Sequence, residues 1–339
     1  MKKVVPYVVK TDLLKKGERL VVTNQMVKTK KRMTFTANID SLGGGKLFVC
    51  HEYMLTNASW LEISDTAVSA YSYFSYANPQ KQDLLRGEVE HGLKISGFIT
   101  VTVDYEPTEL AASVRITTAS GTFSTKARGW YGHDGDVFSF FDSTDAKNCV
   151  MNWTSDDFAR KIWVIGDSYL GFGHAARWPY YLFQDGYSNF LLLGFPGMGA
   201  ERGLDAFKKI IDKGEPEMVF WTLGMNNMDN EGEGVESVNP GYLKATEEFI
   251  AICNERGIEP ILSTVPNVPA RSNRAKNAWV RSLPYRYVDF SHAVNADTDP
   301  SWYPDMLSGD NVHPAAGGAA ALYSRVLVDF PEIAAEDFG

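Results

Sequence analysis

The sequence predicts an all-β half followed by an α/β half built on a parallel sheet. Three observations carry this. Short alternating strands fill residues 20 to 155 with no convincing amphipathic helix among them. From residue 160 onward, apolar runs alternate with helical periodicity instead. A chain of 339 residues also has room for two domains at roughly 150 residues each. The boundary falls near the change of period, giving residues 1–157 and 158–339.

In the first half, Phe98-Ile99-Thr100-Val101-Thr102-Val103 alternates, as do Ser113-Val114-Arg115-Ile116-Thr117 and Val137-Phe138-Ser139-Phe140. Turn signals separate such runs at Gly43-Gly44-Gly45, Glu106-Pro107, Ser120-Gly121 and His133-Asp134-Gly135-Asp136. Many short strands without helices predict a two-sheet β-sandwich.

In the second half, strand-like runs recur at Ile162–Ile165, Phe190–Leu193, Met218–Leu223, Ile258–Thr264 and Tyr287–Phe290. Leu204, Phe207, Ile210 and Ile211 mark one face of a helix that Gly214 stops. Asn239-Pro240 suits the cap and first turn of the next helix, which Gly257 ends. A last helix is expected over Ala315–Val328, closed by Pro331. Such sheets bind ligands at the carboxyl ends of their strands.

Bulk properties narrow the function. A net charge of −9 disfavours nucleic acid and anionic membrane surfaces as partners. No run approaches the ~20 apolar residues of a membrane span. Lys10, Asp12, Lys15 and Lys16 interrupt the N-terminal region too early for a signal peptide, so the sequence reads as cytoplasmic. A secreted form with its leader removed is the alternative. Cys50, Cys149 and Cys253 have no pairing pattern and read as buried free thiols. His51, His91 and His133 lack metal-ligand spacing, and Asp229-Asn230-Glu231-Gly232-Glu233-Gly234 fails as a calcium loop because its twelfth position is Pro240. That segment reads as a solvated loop, and neither metal nor cofactor is expected.

Chemistry-bearing residues stand at successive strand ends. Gly166-Asp167-Ser168-Tyr169-Leu170 follows the first apolar run. Alone, Ser168 reads as a helix cap, and the segment lacks the second glycine of the usual nucleophile elbow. A serine nucleophile needs a base, and the base needs an orienting partner. Asp310-Asn311-Val312-His313 supplies both, with the carboxylate and ring on one turn. Asp289-Phe290-Ser291-His292 has the same spacing, but Asp289 sits on the fifth apolar run and reads as a strand-end carboxylate tying down a loop. Gly194-Phe195-Pro196-Gly197-Met198-Gly199 and Gly224-Met225-Asn226-Asn227 are turns able to present N–H donors to an oxyanion. Each reads equally as simple turn chemistry when taken singly.

Together, and in this order, the four segments resemble the blocks of the SGNH (GDSL) hydrolase family over residues 160–330. The resemblance implies a flavodoxin-like, five-stranded parallel sheet and no metal. It also implies Ser168 as nucleophile, His313 as base, Asp310 as its orienting partner, and an oxyanion hole of Ser168, Gly197 and Asn226. Asn227 departs from the pattern, since the family usually has Asp there. The preceding Asn, which carries the role, is present.

The family includes lipases, thioesterases, lysophospholipases and carbohydrate deacetylases. Aromatic residues near the blocks, namely Tyr169, Trp178, Tyr180, Trp302 and Tyr303, suit sugar rings, and no long amphipathic lid is evident. The preceding β domain, with its jelly-roll or lectin-like look, fits a carbohydrate esterase. The expectation is a serine esterase that removes small acyl groups, most simply acetyl, from an acylated carbohydrate or other small ester. The alternatives are a glycan-binding protein acting through its sandwich and a thioesterase or lysophospholipase.

Overall fold

Strands covered by helices on both faces must be apolar along their whole length, and five such runs build the sheet that carries the candidate site. The computed structural model describes residues 24–25, 31–53, 57–74, 84–106, 111–128, 135–136, 138–141, 150–170, 176–187, 189–194, 197–232, 234–297 and 302–335. His133, Cys149, Phe195 and Pro196 lie outside these residues, as does the N-terminal region read for a signal peptide. The chain divides into two compact units, Met1–Asp157 and Phe158–Gly339.

The first unit holds two five-stranded antiparallel sheets. One runs, in spatial order, Phe138–Phe141, Leu47–Tyr53, Asn57–Ile63, Ala67–Phe74 and Leu84–Glu90. The other runs Val150–Ser155, Lys31–Ile39, Gly97–Glu106, Ala111–Thr118 and Gly121–Arg128. Burial follows the predicted alternation: Ile99, Val101 and Val103 are buried, as are Val114 and Ile116, while Ser113, Arg115 and Thr117 between them are exposed. His91 has a structural place here. Its Nδ1 accepts the Leu93 N–H at 3.0 Å, so its Nε2 carries the proton and donates to Ser64 O at 3.0 Å.

In the second unit the strands are β1 (Ile162–Gly166), β2 (Phe190–Gly194), β3 (Met218–Thr222), β4 (Glu259–Ser263) and β5 (Tyr287–Val288). All pair in parallel, in the order β2-β1-β3-β4-β5. This is the flavodoxin-like order, whose chain reversal lies beside β1. The helices are α1 (Trp178–Gln184), α2 (Ala200–Ile210), α3 (Pro240–Arg256), α4 (Arg274–Ser282), α5 (Phe290–Ala293) and α6 (Ala316–Asp329). Val164, Leu192, Phe220, Ile261 and Val288 share a core with Trp178 and Leu182 of α1 and Leu322 and Val326 of α6. On the opposite face Trp221 stacks on Phe249 of α3 at 4.4 Å, and Phe249 meets Phe207 of α2 edge-on at 5.2 Å.

The caps follow the sequence. Asn239 Oδ1 accepts the N–H groups of Gly241 and Tyr242 at the start of α3, and Gly257 closes that helix in the left-handed conformation. No helix among the described residues is long and apolar enough to cross a membrane.

Candidate active site

The turn after β1 places Ser168 because its neighbours are fixed. Gly166 is required there by close approach: a Cβ would lie 2.1 Å from Thr222 Oγ1 on β3 and 2.6 Å from Leu170 Cδ1. The need is therefore space against the neighbouring strand rather than a special backbone conformation. Leu170 N–H closes the turn on Asp167 O at 3.1 Å. Asp167 is buried, with Oδ1 accepting the Tyr169 N–H at 3.0 Å and Oδ2 lying 3.4 Å from Asn226 Nδ2. Burial pushes its carboxyl up to about 6, against the lowering effects of the Tyr169 N–H and of His313 and Arg271 nearby.

His313 comes from the loop before α6. His313 Nε2 stands 2.7 Å from Ser168 Oγ, and His313 Nδ1 stands 2.6 Å from Asp310 Oδ2. A ring nitrogen facing a carboxylate carries the proton, which leaves Nε2 as the acceptor for the serine hydroxyl. Asp310 Oδ1 also accepts Ser308 Oγ–H at 2.7 Å and the N–H groups of Val312 and His313, each at 2.9 Å. Burial alone would raise this carboxyl, but these donors outweigh it and hold the group well below the usual carboxylate range. The tight turn needs a left-handed residue, which Asn311 supplies at φ 58°.

Asn226 and Gly197 complete the set. Gly224 opens the turn after β3 at φ 133°, and a Cβ there would crowd Val265, Tyr242 and Lys276. Asn226 Nδ2 donates to Met198 O at 3.1 Å, which ties it to the turn that contains Gly197. Gly197 has φ 70°, with open space where a side chain would stand. Asn227 Oδ1 accepts the Ala200 N–H at the start of α2 at 2.8 Å, while its Nδ2 donates to Glu201 Oε2 at 2.8 Å. An aspartate at 227 would have no proton to give Glu201, so asparagine at this position matches the acidic residue on α2.

The competing pair Asp289/His292 is arranged differently. Arg281 holds Asp289 through Nε at 3.1 Å and Nη2 at 2.7 Å, and Thr264 Oγ1 donates to the same carboxylate at 2.8 Å. His292 is largely exposed and faces Asp297 at 3.3 Å.

Of the aromatic residues expected at the substrate, Trp178, Trp302 and Tyr169 belong to the core. Trp178 is fully buried against Phe220 and Phe290. Trp302 is 8% exposed and donates Nε1–H to Asn267 O at 2.7 Å. Tyr169 is also buried, with its hydroxyl on Val312 O. Tyr303, half exposed on the loop leading to Asp310, and Tyr180, exposed on α1, are the two of these aromatics that face solvent.

The residues that sequence reasoning missed lie beneath the Asn226 turn. Lys276 of α4 is fully buried, and its ammonium donates to Gly224 O at 2.9 Å, Asn227 O at 2.6 Å and Asn273 Oδ1 at 2.8 Å. Asp229, expected in a solvated loop, is instead buried 3.4 Å from that ammonium. Burial pushes the Lys276 amine down to about 8, with Asp229 opposing the shift. Arg271 donates Nη1–H to Met225 O at 2.9 Å. Among the described residues no group of three or more His, Cys, Asp or Glu side chains is arranged to hold a metal ion.

No protein-family model matches the chain, and no curated protein matches it. Solved structures similar to it include an acetylxylan esterase from Geobacillus stearothermophilus, at 22% identity and TM-score 0.38, covering 52% of this chain and 95% of that one. A carbohydrate esterase family 3 structure from Talaromyces cellulolyticus is similar at 16% identity and TM-score 0.39, over 51% and 97%. A GDSL-like lipase from Bacteroides thetaiotaomicron is similar at 15% identity and TM-score 0.40, over 51% and 89%.

Proposed function

We propose that this chain is a serine ester hydrolase of the SGNH type, with its catalytic domain in residues 158–339. The observation that carries the reading is the relay from Asp310 through His313 to Ser168, at 2.6 Å and 2.7 Å. Ser168 Oγ attacks the ester carbonyl as His313 Nε2 takes its proton. Asp310, ionised throughout the neutral range, stabilises the imidazolium that forms. The N–H groups of Ser168 and Gly197, with Asn226 Nδ2, receive the oxyanion. His313 then protonates the departing alcohol, and water repeats the sequence on the acyl-enzyme.

The acyl group in this reading is small, most simply acetyl, and the alcohol is a carbohydrate. Half-exposed Tyr303, on the loop that carries the base, supports a sugar by offering an aromatic face. Residues 1–157 are read as a β-sandwich domain, supported by two antiparallel sheets and by the alternating burial along Ile99–Val103 and Ser113–Thr117.

The test is hydrolysis of p-nitrophenyl esters of increasing chain length and release of acetate from acetylated oligosaccharides. Ser168→Ala should abolish turnover of the acetate ester while leaving the fold intact, and unchanged turnover would refute the nucleophile. A preference for acyl chains of about eight carbons or more, long enough to bury considerable apolar area at ~0.8 kcal/mol per CH₂, would overturn the acetyl assignment.

A further inference from the structure

The turn that presents Asn226 is gripped from behind. Three of its four carbonyls, those of Gly224, Met225 and Asn227, each accept a hydrogen bond from a cationic side chain. Both cations come from the connection between β4 and α4 and the first turn of α4. Lys276 bridges the two ends of the turn, and Arg271 takes the carbonyl immediately before Asn226. The ammonium of Lys276 has three protons, and all three are spent, on Gly224 O, Asn227 O and Asn273 Oδ1. It therefore has none to offer a substrate. Asp229 secures the lysine further, accepting the Lys276 backbone N–H at 3.1 Å and lying 3.4 Å from the ammonium. Asp229 Oδ1, the oxygen that faces the ammonium, also accepts the Asn239 N–H at 3.1 Å, which anchors the assembly to the start of α3.

We propose that Lys276 and Arg271 are positioning residues for the oxyanion donor: they fix the Gly224–Asn227 turn so that the Asn226 side chain is aimed before the oxyanion forms. The inference rests on the serine-hydrolase reading above. A donor contributes fully to the transition state only if it needs no reorganisation when charge develops. A turn of four residues after a strand has few contacts of its own to supply that rigidity. Buried carbonyls without donors would also seek other partners, shifting the turn.

The experiment is a pair of double-mutant cycles. Lys276→Met and Arg271→Met are each made in the native chain and in the Asn226→Ala chain, and kcat and KM are measured with p-nitrophenyl acetate. In the native chain each should lower kcat by roughly 10- to 100-fold with KM changed by less than about 3-fold, because the lost interaction belongs to the transition state. Once Asn226 is alanine, neither should lower kcat further. Arg271→Lys, which keeps a charged donor, should recover part of the loss. Kinetic losses that multiply in the Asn226→Ala chain overturn the proposal, as does an unchanged kcat in the single variants. If Lys276→Met loses its cooperative thermal transition, the Arg271 cycle decides by the same criteria. Ser168→Ala separates the two readings. Loss of turnover in that variant together with multiplying cycles sinks the positioning role alone. Retained turnover sinks the hydrolase reading and the positioning role with it.

Discussion

Tyr169 donates its hydroxyl to the carbonyl of Val312 at 2.6 Å, joining the residue after Ser168 to the residue before His313. The tyrosine ring also lies 6.0 Å from the His313 ring. One buried side chain thus sets the distance between two segments that are remote in sequence. Tyr169→Phe keeps the packing and removes the bond. It should lower kcat by roughly 10-fold with little change in KM, since small misplacements of reacting groups are costly. Steady-state kinetics on an acetate ester checks this, and a raised KM at constant kcat would point to a substrate contact instead.

Replacing Asn227 by aspartate should harm this chain. The new carboxylate would face Glu201 with no proton between them, at a cost of about 2 kcal/mol or more for a buried, unpaired charge. Asn227→Asp should therefore melt earlier, and adding Glu201→Gln should restore most of the loss. Urea unfolding of the single and double variants decides the point, and no rescue by the second change would contradict it.

Asp167 makes stability depend on pH in an unusual direction for a carboxylate. Its carboxyl is pushed up to about 6 by burial. Between about pH 4 and pH 6 the folded chain keeps a proton that the unfolded chain has released. This contribution to stability is present at low pH and is lost as pH rises through about 6, by on the order of 2–3 kcal/mol. Asp167→Asn removes the titration. The difference in unfolding free energy between native chain and variant should shift across that window and stay level above it. Parallel curves from pH 4 to pH 8 would exclude the effect.

Asp310→Asn tests the orientation of the base. An amide N–H in place of Oδ2 would turn Nδ1 into an acceptor and leave the Nε2 proton facing Ser168. This should cost on the order of 10³-fold in kcat or more, through the wrong tautomer. His313→Ala should match Ser168→Ala, whereas His292→Ala, at an exposed ring that faces Asp297, should leave turnover unchanged. Activity that survives loss of His313 but not of His292 would reverse the assignment.

The five strands of the sheet were legible because strands buried on both faces leave continuous apolar runs, as at Ile162–Ile165 and Phe190–Leu193. The Ser168 segment was legible because it stands at a strand end, where such sheets bind ligands, and the His313 segment because an aspartate and a histidine three apart share one turn ahead of the closing helix. Trp178 and Trp302 were misleading for a physical reason. An aromatic side chain has the same apolar body whether it meets a sugar or a core, and only the tertiary packing on Phe220 and Phe290 or the bond to Asn267 O distinguishes the two. Lys276 was invisible because a lysine on a short polar helix reads as solvated. Its burial is created by carbonyls some fifty positions earlier in the chain.

Ser168 lies just past the first strand of its sheet and His313 just before the last helix, 145 residues apart. Cutting the backbone anywhere between them would leave Ser168 on one fragment and His313 on the other, so that on the proposed mechanism one fragment has a nucleophile without a base and the other a base without a nucleophile. Under that mechanism neither piece alone could turn over an ester, so hydrolysis regained on mixing would count reassembled molecules. The unit is in this sense a split reporter of its own assembly.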